Sequence, residues 1–335
     1  MSGIAEYPKA WCVGGVPLPP MGIHEVAREF HGWVAGPPRR TWSPTDFSRV
    51  EGIVDLHLHA GPGRQETYGL AKFASQTGVR AMVLKSPQLG NSVEVARVLN
   101  EALADWAPAN DVERPTEMVG SVVLGPATGG LNPEFAARMI DSNARILWFP
   151  VAAAHWVAWF KQVPLDEARK EGAYVLDGEH LIPEAEEILD VVKEKDVAVS
   201  FGHLSKQEML ALAEGCRHRG ITRAFIDHPM VPAADLSVDE MVHLARLGVT
   251  INFTYYELSP YCGIPAQQMV AAIRAIGVNS VTLSSDSSQE IYSGSVECMR
   301  LHAAMLDRYD FSPEEARKML RDTPLRLLRL GAASV

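Results

Sequence analysis

The chain lacks several features that would place it in other classes of protein. Its four cysteines are widely separated and form no CxxC pair, which argues against a disulfide framework and against a thiolate zinc site. No apolar run approaches the ~20 residues that a membrane helix needs. The first residues, MSGIAEYPKAWCVGG, are interrupted by charge, proline and glycine, unlike a secretory signal. We therefore expect a cytoplasmic protein with buried thiols.

Positive charge is scarce as well. The chain has 31 lysines and arginines against 41 acidic residues, a formal net charge of -10. Such a chain is poorly suited to bind a nucleic-acid backbone or an anionic membrane. We expect a small-molecule substrate instead, with neither nucleic acid nor membrane as a partner, and leave open assembly into a homo-oligomer.

The sequence has no low-complexity tracts. From residue 50 onward, short apolar runs alternate with amphipathic stretches of helical length. This alternation is typical of βα units around a parallel sheet. The expected strands are 52–59, 79–85, 118–125, 145–151, 197–203, 222–228, 249–255 and 280–286. Eight such units predict an α/β fold, a (β/α)8 TIM barrel over residues 51–335.

Local signals support the βα units and mark two departures from them. Ser205 with Glu208, and Ser237 with Glu240, have the spacing of helix-capping boxes. Residues 1–50 are rich in proline and glycine, and we expect them to form an N-terminal extension that packs on the barrel. Residues 152–182 are an insertion after the fourth strand, with an Asp177-Gly178 hairpin turn, and are a candidate lid.

The stretch GIVDLHLHAGPG sets two histidines one residue apart on the first strand. Successive side chains of a strand point to opposite faces, so Asp55, His57 and His59 share one face. Two imidazoles placed in this way can bind one metal ion. The alternative is that they only donate hydrogen bonds to nearby carbonyl groups.

Other polar side chains also fall at or just beyond the carboxyl ends of predicted strands. The set comprises His57, His59, Lys85, His203, His228 and Asp286. In a TIM barrel this is the catalytic face, and imidazole and carboxylate are ligands suited to zinc or a similar divalent ion. Taken singly, each has a structural alternative, such as Asp286 capping the last helix.

The order of these motifs resembles the amidohydrolase superfamily of metal-dependent hydrolases: HLH on the first strand, GH on the fifth, DHP on the sixth and SSD on the eighth. The closing TPLRLLRLG is similar to the final helix of many members. The stretches LKS and GHLS are similar to a poorly characterised amidohydrolase-related branch. The resemblance covers roughly residues 50–331 and implies a barrel that binds Zn2+, or Mn2+ or Fe2+, with one or two ions per chain.

By this resemblance, His57, His59 and Asp286 hold the more buried ion. His203 and His228 bind a second ion, or help to hold metal and substrate in a one-metal site.

The superfamily's bridging ligand is a carboxylated lysine or a glutamate from the fourth strand, and RILWFPV offers neither. We expect Lys85 of the second strand to replace it as a carboxylated lysine, because a partly buried amine beside cations has a lowered pKa and can react with CO2. The alternative is an ammonium group that pairs with a substrate carboxylate or another acid.

The expected function is hydrolysis of an amide, cyclic amide, lactone or ester bond in a small organic molecule, with Asp286 as proton shuttle and with His203 and His228 stabilising the oxyanion. A phosphoesterase or a decarboxylase on the same barrel is the alternative, since fold alone does not choose between them. A third possibility for the function is a metal-binding protein without catalytic activity.

Candidate substrate contacts are Arg64, His155 and Tyr255. Trp148, Trp156 and Trp159, near the start of the insertion, are candidates for an apolar lining or for packing alone.

Overall fold

Parallel strands follow the predicted alternation in this computed structural model, which describes residues 12–13, 16–17, 47–59, 66–287 and 293–331. The chain divides into two units, Met1–Phe47 and Ser48–Val335. In the first unit, the short strands β1 (Cys12–Val13) and β2 (Val16–Pro17) pair antiparallel. The predicted extension 1–50 lies almost entirely outside the described residues, so its packing stays a prediction.

The second unit carries the remaining described strands. They are β3 (Val54–His59), β4 (Ala81–Lys85), β5 (Glu117–Val119), β6 (Ser121–Val123), β7 (Ile146–Trp148), β8 (Leu176–Asp177), β9 (His180–Leu181), β10 (Ala198–Ser200), β11 (Ala224–Asp227), β12 (Thr250–Thr254) and β13 (Val281–Ser284). All eight predicted strands are therefore confirmed in position. The third is divided into β5 and β6 at Gly120, where a Cβ atom would lie 2.6 Å from the Val93 Cα. Glycine here permits a helix to approach the strand closely.

Two parallel sheets carry the candidate functional residues. One has the order β13-β12-β11-β10-β7-β6 and the other β3-β4-β5. Backbone hydrogen bonds connect the two sheets: His59 N at the end of β3 donates to Ser287 O (3.0 Å), and Ser92 N, in the loop after β4, donates to Ser121 O of β6 (3.0 Å). The carboxyl ends of the strands from the two sheets consequently meet around one site.

Helices lie between the strands in sequence. They are α1 (Thr67–Gln76), α2 (Val93–Trp106), α3 (Pro133–Asp141), α4 (Ala154–Lys161), α5 (Leu165–Ala168), α6 (Pro183–Lys195), α7 (Lys206–Arg219), α8 (Val238–Arg246), α9 (Tyr255–Leu258), α10 (Ala266–Ile276), α11 (Ser295–Arg308), α12 (Pro313–Arg317) and α13 (Thr323–Leu328). A π-helical turn, Lys318–Asp322, joins the last two. In the described part of the chain, no helix has both the length and the apolar character needed to cross a membrane.

The two predicted capping boxes begin α7 and α8. Glu208 accepts a hydrogen bond from Ser205 N (2.9 Å), and Glu240 accepts one from Ser237 N (2.7 Å). Each serine oxygen in turn accepts from the backbone N–H of the glutamate. These reciprocal bonds satisfy N–H groups that a helix leaves unpaired at its first turn.

Apolar side chains from the strands and the last helix form the core. The cluster includes Val54, Leu56, Val83, Val123, Ile146, Trp148, Phe225, Leu325, Leu327 and Leu328, all nearly or fully buried. Burying a leucine or valine side chain contributes about 1.5–3 kcal/mol. Trp148 belongs to this core and also contacts the candidate site, so the packed interior supports the polar cluster.

The predicted insertion consists of α4, α5 and the β8–β9 hairpin. Ala154 N donates to Ala173 O (2.7 Å) and so joins the start of α4 to the segment between α5 and the hairpin. Gly178 has a φ of +62° in the hairpin turn, which confirms the predicted Asp177-Gly178 turn. Val175 N donates to the Glu208 carboxylate (2.9 Å), attaching the hairpin to α7.

Candidate metal centre

Three of the predicted ligands converge at the carboxyl ends of β3 and β13. His57 Nε2 and His59 Nε2 lie 3.3 Å apart, and each lies 3.1 Å from the same oxygen of Asp286. Two ligands on one tetrahedral ion with bonds of about 2.0 Å are about 3.3 Å apart. The three atoms therefore have the chemistry and the separation of ligands on one divalent ion.

The backbone at Asp286 holds an uncommon conformation. Asp286 has a φ of +51°, and its N–H donates to His57 O (2.8 Å). Asp55 holds the preceding residue, because its carboxylate accepts from Ser285 N (3.0 Å) and Ser285 Oγ (2.5 Å). The alternative that Asp286 caps the following described helix is wrong, since Gly294 is the N-cap of α11.

His228 is also a non-glycine residue with a positive φ, of +35°. Strain of this kind, about 1–3 kcal/mol, persists where surrounding contacts hold it and is common at functional sites. Glu257 supplies such a contact next to His228, because its buried carboxyl accepts from Met230 N (2.8 Å) and Thr254 N (2.6 Å). Burial raises the pKa of Glu257 to about 8.

Asp227 is a functional candidate that sequence reasoning did not single out. Its carboxylate lies 3.3 Å from His57 Nδ1 and accepts from Ser200 Oγ (2.6 Å) and Asn252 Nδ2 (2.7 Å), with all four side chains buried. Burial alone would raise the pKa of Asp227, but its interactions with His57 and Lys85 bring that pKa below its usual range. With Nδ1 directed at this carboxylate, His57 presents Nε2 to the cluster. The DHP motif, a carboxylate directly before a strand-end histidine, was the available signal.

His203 and His228 form a second group of imidazoles beside the first. Their rings lie 4.5 Å apart at right angles, and the His228 ring is 6.0 Å from that of His57. Burial lowers the pKa of His228 to about 4 and that of His203 well below its usual value. Burial likewise lowers the pKa of His59 to about 4. Neutral imidazoles at neutral pH are the form that binds metal or donates one hydrogen bond.

Lys85 lies inside this group. It is fully buried, its Nζ is 4.3 Å from the centre of the Trp148 ring, and that nitrogen has no hydrogen-bond partner among the described residues. Burial lowers the pKa of Lys85, against the attraction of Asp227 and Asp286. Strand β7 thus supplies an indole ring, and β4 places an amine against it.

The structure describes two of the three predicted substrate contacts. Arg64 is outside the described residues. His155 Nε2 donates to the carbonyl of Ala233, and the Tyr255 ring stands edge-on to His302 at 5.6 Å. Neither His155 nor Tyr255 belongs to the three-ligand cluster, and their contact with substrate stays a prediction.

The same architecture occurs in solved amidohydrolase-superfamily structures. The chain is similar to an amidohydrolase from Pseudomonas aeruginosa with a TM-score of 0.58, at 13% identity over 86% of this chain and 98% of that one. It is similar to an organophosphorus hydrolase from Deinococcus radiodurans with a TM-score of 0.55, at 13% identity over 85% and 94%. A zinc-bound amidohydrolase from Burkholderia multivorans gives a TM-score of 0.51, at 13% identity over 83% and 99%.

These likenesses show that the chain has the amidohydrolase-superfamily fold, as the motif order predicts. Within it, residues 52–252 match the family of unknown function DUF6282, and the chain belongs to that family. Comparison with curated proteins gives no match.

Proposed function

We propose that this protein is a metal-dependent hydrolase that cleaves an amide, cyclic amide, lactone or ester bond of a small organic molecule. The observation that carries the proposal is the convergence of His57, His59 and Asp286, with ligand atoms 3.1–3.3 Å apart. These three residues would hold a divalent ion, which when bound would make hydroxide available near neutral pH and would polarise a carbonyl group. Zinc is the ion that we expect first.

Asp286 is the proton carrier in this proposal. Although burial opposes ionisation, the nearby histidines lower the pKa of Asp286, so it is an anion near neutral pH. An ionised carboxylate can accept the proton of the attacking water and return it to the leaving group. His203 and His228, which are neutral imidazoles, can donate a hydrogen bond to the oxyanion or bind a second ion.

Lys85 would, in this proposal, be carboxylated and would serve as a ligand if two ions are bound. Its burial favours the neutral amine that reacts with CO2, and its Nζ has no hydrogen-bond partner in the described part of the chain. Replacing Lys85 with alanine should lower the metal content, and added bicarbonate should aid reconstitution of the wild type only. Normal metal binding by the Lys85→Ala variant would refute this role of Lys85.

The two sheets are, we infer, parts of one closed (β/α)8 barrel. The hydrogen bond from His59 to Ser287 at one margin, and the continuation of β5 into β6 through Gly120 at the other, support closure. In this arrangement the insertion after the fourth barrel strand covers the site, because Trp156 of α4 lies against His203 at a ring distance of 4.9 Å.

Elemental analysis and turnover on one preparation test the proposed function. We expect one or two equivalents of zinc or a related divalent ion per chain, and hydrolysis of at least one member of an ester, lactone and amide panel. The His57→Ala variant should lose both metal and turnover, whereas His218→Ala should keep them, since His218 is exposed on α7. Full activity after removal of the metal by chelation would exclude the mechanism.

A further inference from the structure

A row of aromatic rings runs along α4, away from the metal centre. The Trp156 ring lies 4.9 Å from that of His203 and 5.6 Å from that of His228. Phe160, one helical turn further, lies 5.6 Å from Trp156, and Trp159 lies 4.8 Å from Phe160. The row therefore begins at two candidate site histidines and continues without a break.

The outer end of the row is exposed, whereas the helix that carries it is held at its start. Phe160 is 64% exposed and Trp159 40%. Ala154 N donates to Ala173 O (2.7 Å), and His155 donates to the Ala233 carbonyl. Large apolar side chains that stay exposed on an anchored element mark a binding surface when they form one patch.

Trp156 adds a polar feature to this surface. Its indole nitrogen is buried and has no hydrogen-bond partner in the described ranges. An indole N–H is a donor only, and leaving a buried donor unpaired costs about 1–3 kcal/mol. A bound molecule with an acceptor oxygen beside His203 and His228 would remove that cost.

On the basis of the proposed hydrolase function, we infer that the substrate carries an aromatic ring or a similarly flat apolar group that lies against Trp156, Trp159 and Phe160. The same molecule places an oxygen where it accepts from the Trp156 indole N–H. The occupant is a small molecule held at the metal centre, because the row is continuous with His203 and His228. An apolar group there covers the exposed rings of Phe160 and Trp159.

Two phosphonates test this inference without requiring turnover. Phenylphosphonate and methylphosphonate share the metal-binding group and differ only in the ring, so calorimetric titration of the zinc-loaded protein isolates the contribution of the ring. We expect phenylphosphonate to bind about three- to tenfold more tightly, the size of one good aromatic contact. Phe160→Ala and Trp159→Ala should each reduce that ratio toward one and leave methylphosphonate affinity unchanged.

Two further variants complete the test. Val98→Ala is the matched control, because Val98 is another exposed apolar helix residue, 50% exposed on α2, and should keep the wild-type ratio. Trp156→Phe keeps a ring but removes the N–H, so both phosphonates should bind about tenfold more weakly.

Equal affinity of the wild type for the two phosphonates would overturn the inference about the ring. The proposed metal centre would still be supported if binding of both phosphonates requires the metal. Failure of both to bind the zinc-loaded protein would overturn both proposals. A wild-type dimer that Phe160→Ala dissociates, measured by light scattering, would assign the surface to a second copy of the chain and overturn the inference.

Discussion

Replacing Asp227 with asparagine should weaken metal binding while leaving the fold intact. The carboxylate lies 3.3 Å from His57 Nδ1 and accepts from Ser200 Oγ and Asn252 Nδ2. Asparagine keeps the shape, and its single oxygen can still face both His57 and Asn252. Its amino group then faces Ser200, whose hydroxyl can turn to accept. The change therefore removes the negative charge with little loss of packing.

The magnitude follows from burial. Removing the partner that orients a metal-binding histidine costs about 10- to 100-fold in metal affinity, which is about 1.4–2.7 kcal/mol. Asp227 and His57 are both 0% exposed, so water does not replace the lost charge, and we expect the upper half of this range.

Zinc affinity, measured by competition with a chelator of known affinity, checks this prediction on the purified proteins. Asp190→Asn is the matched control, because Asp190 undergoes the same chemical change on the surface, where it pairs with Arg219. Thermal unfolding of the metal-free proteins shows whether the variant folds. A folded Asp227→Asn protein with zinc affinity within twofold of the wild type would refute the reasoning.

Three other predictions concern catalysis, pH and capping. Asp286→Asn should lower turnover by about 10²–10⁴-fold at matched metal content, because the amide cannot accept the proton of the attacking water. Steady-state kinetics close to those of the wild type would show that another residue accepts this proton. Metal-free protein should lose stability as pH falls from about 6.5 toward 4. Burial lowers the pKa of His302 from 6.5 to about 4, so in this pH range His302 is protonated in the unfolded chain but not in the folded protein. His302→Gln should flatten that dependence in thermal melts, and an unchanged slope would contradict it. Ser237→Ala should cost about 1 kcal/mol of unfolding free energy by denaturant titration, because Glu240 N loses its cap, and an unchanged midpoint would contradict this.

Local features of the fold are readable in the sequence because they depend on neighbouring residues. Alternation of side chains sets His57 and His59 on one face of β3, and their nitrogens do meet at 3.3 Å. The capping box at Ser205 and the turn at Gly178 are equally local, and both are confirmed. The gathering of polar residues at one end also follows from sequence, since parallel strands place their carboxyl ends together.

The tertiary structure alone decided which side chains support the centre. Asp227 meets His57 across two sheets, and Trp156 reaches His203 from an insertion with no repeat pattern of its own. Lys85 at the end of β4 places its Nζ 4.3 Å from the ring of Trp148, which ends β7 in the other sheet. These contacts join residues far apart in the chain, and they depend on side-chain rotamers and burial. The periodicity of the sequence predicts on which face of a strand a side chain lies. The residues that this side chain contacts are determined by tertiary packing.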